Sequence, residues 1–299
     1  MITERSRSPC TAWITTTFDA VTTLLLPIIV TLESVLGLIL NGIGTLLTLC
    51  FSIPIIGMLL YVLCGFLHHF VSGLFVLPAI VLHLCHILPE KRLRLRIVIQ
   101  RDENGKPICE HAEVLSQLQM AIDIFKTSAN IRIIPIGPFV YALPFQCFPQ
   151  ASDGYICIES SNSTSPLLNC KGGPFSPRGW ARMAFNAKMC RFCFWANWRR
   201  LLGYGAPICV FAVRRIEGGN LGMAGRLIAD FALVDFTYHR NGIRFLNTLA
   251  HEMCHLCLLR HSEENNNLMN PLLRSIDPQN CLTSEQVFRL RKSPHVTYL

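Results

Sequence analysis

The sequence predicts an α+β protein in two parts: N-terminal transmembrane helices, then a domain of mixed strands and helices. Three observations predict it. Residues 20–88 are almost continuously apolar, and Glu33 is the only charged residue between Ala20 and Pro89. Beyond residue 90, short alternating runs give way to helix-patterned ones and back again. Residues 248–271 carry two histidines four apart, with a third just beyond. Composition agrees, with 51% hydrophobic residues and a mean hydropathy of +0.38. The net charge of +8 belongs mostly to the part after residue 90. No helix presents a basic face suited to nucleic acid, so nucleic acid is not an expected partner.

Residues 1–19 are short and polar and read as a disordered N-terminus. A bilayer crossing takes about 20 apolar residues. The region 20–90 therefore has room for two or three. Breaks at Asn41-Gly42 and His68-His69 give spans of approximately 20–40, 44–67 and 70–88. The run is several times too long for a cleaved signal peptide. Pro27, Pro54 and Pro78 are tolerable as kinks within spans. His83 and His86, three apart, read as interfacial residues rather than a second metal site, because no acidic partner is close in sequence. The lipid bilayer is thus an expected partner and the chain an expected integral membrane protein.

Orientation is set by competing signals. Lys91, Arg92, Arg94 and Arg96 follow the last span, where the positive-inside rule would hold them in the cytoplasm. They also alternate with Leu93, Leu95, Ile97 and Ile99, which reads as a strand with a basic outer face. With Arg5 and Arg7 inside, three spans put the domain outside and two keep it in. Of fourteen cysteines, the ten after residue 100, read as an even set suited to an oxidising compartment, tip the expectation towards an extracytoplasmic domain.

The domain occupies 91–299. Residues 93–100 read as a strand, closed by the turn Asp102-Glu103-Asn104-Gly105. Residues 111–128 read as a helix with Val114, Leu115, Leu118, Ala121, Ile122 and Phe125 on one face. Ile131, Ile133 and Ile136 mark a second strand, parallel to the first through a right-handed crossover. Residues 141–205 form a Cys- and aromatic-rich insertion. Cys190-x-x-Cys193 there fits disulfides or buried thiols better than a structural zinc. Residues 206–216 and 228–236 read as strands, and Gly218 to Gly225 between them as a flexible rim. Thr283 and Gln286 form a capping box for a last helix whose apolar side is Val287, Phe288 and Leu290.

The chemistry sits at 248–271. On a helix, His251 and His255 lie on one face and can aim at the same point. Neutral imidazole suits Zn²⁺. Glu252 is not needed as a ligand and can take a proton from a metal-activated water as general base. A catalytic zinc needs three protein ligands and one open position. His261 is the natural third ligand; Glu263 or Glu264 is the alternative.

With Asn267-Leu268-Met269-Asn270-Pro271 following, the pattern resembles the metzincin (matrixin-like) zinc metalloproteases. Their motif is HExxHxxGxxH followed by a methionine turn. The resemblance covers approximately 93–136 and 206–299, and this chain reads HExxHxxxxxH. It implies a metzincin-like zincin domain: a twisted mixed sheet, a long helix, a zinc helix and a C-terminal helix. It implies one catalytic zinc ion, a peptide or protein substrate, and endopeptidase activity with Glu252 as base. The strand before the zinc helix would be the sheet edge that pairs with substrate, through Ala232, Leu233, Val234 and Asp235. Met269 would floor the zinc site, and Asn270 and Pro271 would border a substrate pocket. One position departs from the pattern: Leu258 stands where the family has Gly. Leu at a positive φ costs roughly 1 kcal/mol or more, so a different helix end, or another path for His261, is expected. That departure also sustains a rival: a catalytically inactive, membrane-tethered binding module on the same fold.

Overall fold

The structure is a computed structural model. It describes residues 89–100, 104, 106–135, 205–216, 220–224, 231–237, 247–272 and 277–298, five short strand segments, and scattered helical positions between 16 and 81. In chain order the elements are β1 (Lys91–Gln100), α1 (His111–Ala129), β2 (Ile131–Pro135), β3 (Phe148–Pro149), β4 (Ile156–Glu159), β5 (Asn169–Cys170), β6 (Ile208–Ala212), β7 (Arg215–Ile216), β8 (Gly222–Ala224), β9 (Phe231–Val234), β10 (His239–Arg240), β11 (Ile243–Arg244), α2 (Thr248–Leu256), α3 (Ser284–Arg291) and β12 (Val296–Thr297).

β1 organises the sheet. Its first half pairs with β2 in parallel and its second half with β4 in parallel; β6 and β12 pair with it as well. The order across the sheet is β3-β4-β1-β6-β9-β8. β6 and β9 lie parallel, and β8 closes the described edge antiparallel to β9. A strand covered on both faces reads as a continuous apolar run. Ile208-Cys-Val-Phe-Ala212 and Phe231-Ala-Leu-Val234 do so, and every residue in both is buried. One face, with Leu93, Leu95, Ile97, Val210 and Val234, packs on α1 and α2 through Leu118, Phe125, Leu249 and Met253. The other buries Val98, Phe211, Leu233 and Phe231, with Phe211 and Phe231 edge to face at 6.1 Å.

The strand–helix–strand unit is parallel, as read from the sequence. The basic outer face of β1 is not. Lys91, Arg92 and Arg94 are buried, at 3–4% exposure. The cover comes from the far end of the chain: β12 pairs beside Arg92 and Leu93, and Arg94 Nη1 donates to Thr297 Oγ1 at 3.3 Å. Lys91 Nζ donates to the Arg291 carbonyl at 2.5 Å and sits 4.5 Å from the Tyr298 ring centre. These charges serve the fold. Among the described residues Cys109, Cys209, Cys254, Cys257 and Cys281 are buried free thiols.

The expected spans at 20–40, 44–67 and 70–88, the disordered residues 1–19, and most of the 141–205 insertion, with Cys190 and Cys193, lie outside the described residues. Among the described residues no helix is long and apolar enough to cross a membrane. The described helical positions in this part are nonetheless apolar and open: Ile56, Leu59, Leu63, Phe66, Phe70 and Leu74 are 45–70% exposed.

Candidate metal centre

α2 carries Thr248-Leu-Ala-His-Glu-Met-Cys-His-Leu256. Leu249, Ala250, Met253 and Cys254 are fully buried, which fixes the helix against the sheet and α1. Asn247 precedes it without a side-chain cap. The cap is supplied across the core: Gln117 Oε1 on α1 accepts from the Leu249 N–H at 3.2 Å. This satisfies one of the orphan donors of the first turn.

The C-terminus of α2 brings the third histidine back. The Leu259 N–H donates to the Cys254 carbonyl at 3.1 Å and the Leu258 N–H to the His255 carbonyl at 2.9 Å. Those two bonds are a Schellman motif, which needs a left-handed residue at the position of Leu258. Leu258 adopts φ 67°. The leucine therefore takes the glycine conformation itself, and the different helix end expected from the sequence does not occur. Its side chain is 45% exposed, so no core contact opposes the turn.

His251 Nε2 and His255 Nε2 are 3.1 Å apart, and His255 Nε2 and His261 Nε2 3.0 Å apart. One ligand atom from each lies within 4.8 Å of the others. The second ring nitrogens of His251 and His255 settle what the contact between these two is. His255 Nδ1 meets the Leu259 carbonyl at 2.8 Å and His251 Nδ1 meets the Leu268 carbonyl at 2.7 Å. A carbonyl only accepts, so each Nδ1 carries the proton and each Nε2 is a bare lone pair. Two lone pairs facing each other at this distance repel unless a cation lies between them. Tetrahedral zinc at Zn–N of about 2.0–2.1 Å sets ligand nitrogens about 3.3 Å apart. The three imidazoles fit that group, and the two carbonyls are the outer partners that histidine ligands usually have. Burial, with the neighbouring His255 and His261, pulls the His251 pKa down to about 4 against the pull of the Leu268 carbonyl. The ring is therefore neutral, as a ligand must be.

Glu252 is buried beside β8. Burial pushes its carboxyl up to about 8, opposed by a hydrogen bond from the Ala224 backbone. A bound cation would draw it back down. Gly222 makes the space: a Cβ there would come within 2.4 Å of Glu252 Cγ and Oε1. The glycines read as a flexible rim thus include an edge strand, and Gly222 is the residue the sequence reading missed. Its signal was a glycine within a strand, which marks close approach of another group.

The loop around Met269 is tied to the histidines. Met269 is fully buried. The Ser262 N–H, next to His261, donates to the Met269 carbonyl at 3.0 Å. Asn267 Oδ1 accepts from the Met269 N–H at 2.9 Å. Asn270, expected at a pocket rim, has its amide committed within the loop. It donates to the Glu264 carbonyl at 3.0 Å and accepts from the Leu272 N–H at 2.9 Å. Pro271 is exposed. Glu264, one of the alternative third ligands, instead accepts from Asn267 Nδ2 at 3.2 Å.

The expected substrate edge needs correction. Ala232, Leu233 and Val234 lie in β9, which is paired on both sides, with β6 and β8. The Asp235 N–H donates to the Leu221 carbonyl at 2.9 Å, and its carboxylate accepts from Thr237 at 2.8 and 3.0 Å. Their backbones have no free side for a peptide. Among the described residues the open edge on this side belongs to β8.

No protein-family model matches the chain, and no curated protein matches it. Among solved structures it is similar to metalloproteinase-II from Bacteroides fragilis, with a TM-score of 0.37 and 14% identity over 67% of this chain and 53% of that one. It is also similar to mature mirolysin from Tannerella forsythia in complex with a cleaved peptide, with a TM-score of 0.38 and 13% identity over 68% of this chain and 90% of that one. The chain spans about half the length of the first.

Proposed function

We propose that the chain is a membrane-anchored, zinc-dependent endopeptidase of metzincin-like build. The observation that carries this reading is the facing Nε2 lone pairs of His251 and His255, whose Nδ1 protons are committed to carbonyls, with His261 Nε2 3.0 Å from His255 Nε2. His251, His255 and His261 would hold the ion. Zinc, when bound, supplies a Lewis acid that polarises the scissile carbonyl and acidifies a water. Glu252 follows the first ligand in sequence and takes that proton, then gives it to the leaving amine. Its apolar setting raises proton affinity, which suits a base that must hold the proton between the two transfers. An extended peptide would add to the sheet along β8, the described edge strand on this side. Leu258, the residue that favoured an inactive scaffold, leaves His261 3.0 Å from His255.

Anchoring rests on the apolar run 20–88 and on the bare apolar helix positions from Ile56 to Leu74. Exposed apolar stripes of that size call for a non-aqueous cover. The test is the Glu252→Gln variant of the full chain in detergent. Stoichiometric zinc with cleavage of unstructured peptides lost is expected. A variant that cuts as fast as wild type would refute the mechanism.

A further inference from the structure

We propose that Gln117 is a positioning residue for the metal centre, acting from α1 through the first turn of α2. This rests on the metal-centre reading above and deepens it by adding a residue outside the ligand set. The inner face of α1 is built mostly from apolar side chains: Val114, Leu118, Ala121, Ile124 and Phe125 are buried. Gln117 sits among them at 2% exposure. Burying an amide is unfavourable unless it finds a hydrogen-bond partner. An apolar residue would fill the same space without that penalty. What Gln117 adds is an acceptor: Oε1 takes the Leu249 N–H at 3.2 Å, across 132 residues of chain.

The helix needs that acceptor because its own flank supplies none. Asn247, at the N-cap, lies in the αR region and makes no side-chain cap. Leu249 is fully buried, so water cannot serve its N–H instead. His251 stands two residues on, in the same turn, and its N–H donates to the Asn247 carbonyl at 2.9 Å. At the other end of α2 the Schellman turn places His255 and His261. His251 is therefore set by the first turn and by the Leu268 carbonyl on its Nδ1. Apolar packing is non-directional and does not by itself fix the height of one helix against another. A satisfied buried hydrogen bond between them does. Without the acceptor, the first turn shifts or frays to serve the Leu249 N–H, and the His251 imidazole goes with it. Zinc needs three nitrogens converging on one point, so the loss falls on metal affinity. By linkage, a variant is then destabilised more with zinc bound than without, by the same factor.

The test uses the purified full chain in detergent. Zinc affinity is read by chelator competition, and ligand geometry by the visible absorption of Co²⁺ bound in place of zinc. Gln117→Met keeps the bulk and removes the acceptor. Gln117→Glu keeps an acceptor at the same reach, at a helix end that favours negative charge. The methionine variant is expected to bind zinc about fivefold more weakly, or worse, the ratio that one lost cap commonly represents, and to shift the Co²⁺ bands. The glutamate variant is expected to keep both near wild type. Should the methionine variant not fold, Gln117→Asn, an amide one methylene short, carries the same expectation. Wild-type zinc affinity in the variant lacking the acceptor would overturn the proposal. So would equal weakening in the methionine and glutamate variants, because the acceptor would then not be what matters. Failure of the premise looks different: a wild-type chain that binds no zinc removes the metal centre itself, and the proposal falls with it.

Discussion

Asn267 and Gln286 are joined through both ends of their amides. Asn267 Nδ2 donates to Gln286 Oε1 at 2.9 Å, and Gln286 Nε2 donates to Asn267 Oδ1 at 3.1 Å. Gln286 Oε1 also accepts from the Thr283 N–H, so one side chain caps α3 and braces the loop around Met269. The Leu268 carbonyl in that loop fixes His251. Asn267→Ala is therefore expected to weaken zinc binding about 10–100-fold. Glu285→Ala, which removes an exposed pair with Arg289, is expected to leave it unchanged. Chelator competition on the purified chain checks both. Equal affinities would mean that His251 is held without the brace.

Gly222→Ala places a methyl group on Glu252. The carboxylate must move while the three imidazoles need not. Zinc stoichiometry is expected to hold while cleavage falls by roughly 100-fold, the usual cost of a misplacement near 1 Å. Loss of zinc and activity together would show that β8 braces the metal site itself.

Leu258 occupies the left-handed region at φ 67° with its side chain partly in solvent. Leu258→Gly removes a strain of about 1–2 kcal/mol and adds unfolded-state entropy worth about 0.4–1 kcal/mol. A small net stabilisation is expected in denaturant unfolding. Leu258→Val, β-branched at the same φ, should destabilise and also loosen zinc by displacing His261. A valine variant as stable as wild type would contradict the Schellman geometry.

Lys91 is pulled down from 10.5 to about 7 by burial and by the nearby Arg291 charge. Below about pH 7 folded and unfolded chains both carry the proton. Between about 7 and 10.5 only the unfolded chain binds it. Stability from this group therefore rises with pH through that window and is fully present above it. Unfolding of the detergent-solubilised chain between those pH values should show the slope, and Lys91→Met should flatten it. A slope unchanged in the methionine variant would assign it elsewhere.

Burial pushes the thiols of Cys109 and Cys257 up to about 12, and that of Cys254 well above its ordinary value. The thiolate is the reactive form. Native labelling of these three by iodoacetamide is expected to be negligible and to appear on unfolding, read by peptide mass mapping.

Local patterns were legible in the sequence, and long-range ones were not. Thr283 and Gln286 announced the start of α3 because a capping box is complete within four residues. The helix spacing of His251 and His255 was legible for the same reason. Arg92 and Arg94 were read as an outer face because their cover, β12, lies some 200 residues further on. The edge strand went to Ala232–Asp235 because β8 is three residues, two of them Gly222 and Ala224, with no apolar alternation to mark it. Gln117 looked like any polar residue on a helix, and only the packing of α1 on α2 turns it into a cap.

β1 leaves the ribosome about 200 residues before the partners of Lys91 and Arg94: Arg291, Thr297 and Tyr298. During synthesis this strand waits with its cationic flank uncovered. A polypeptide stalled before residue 291 would keep that flank exposed to solvent.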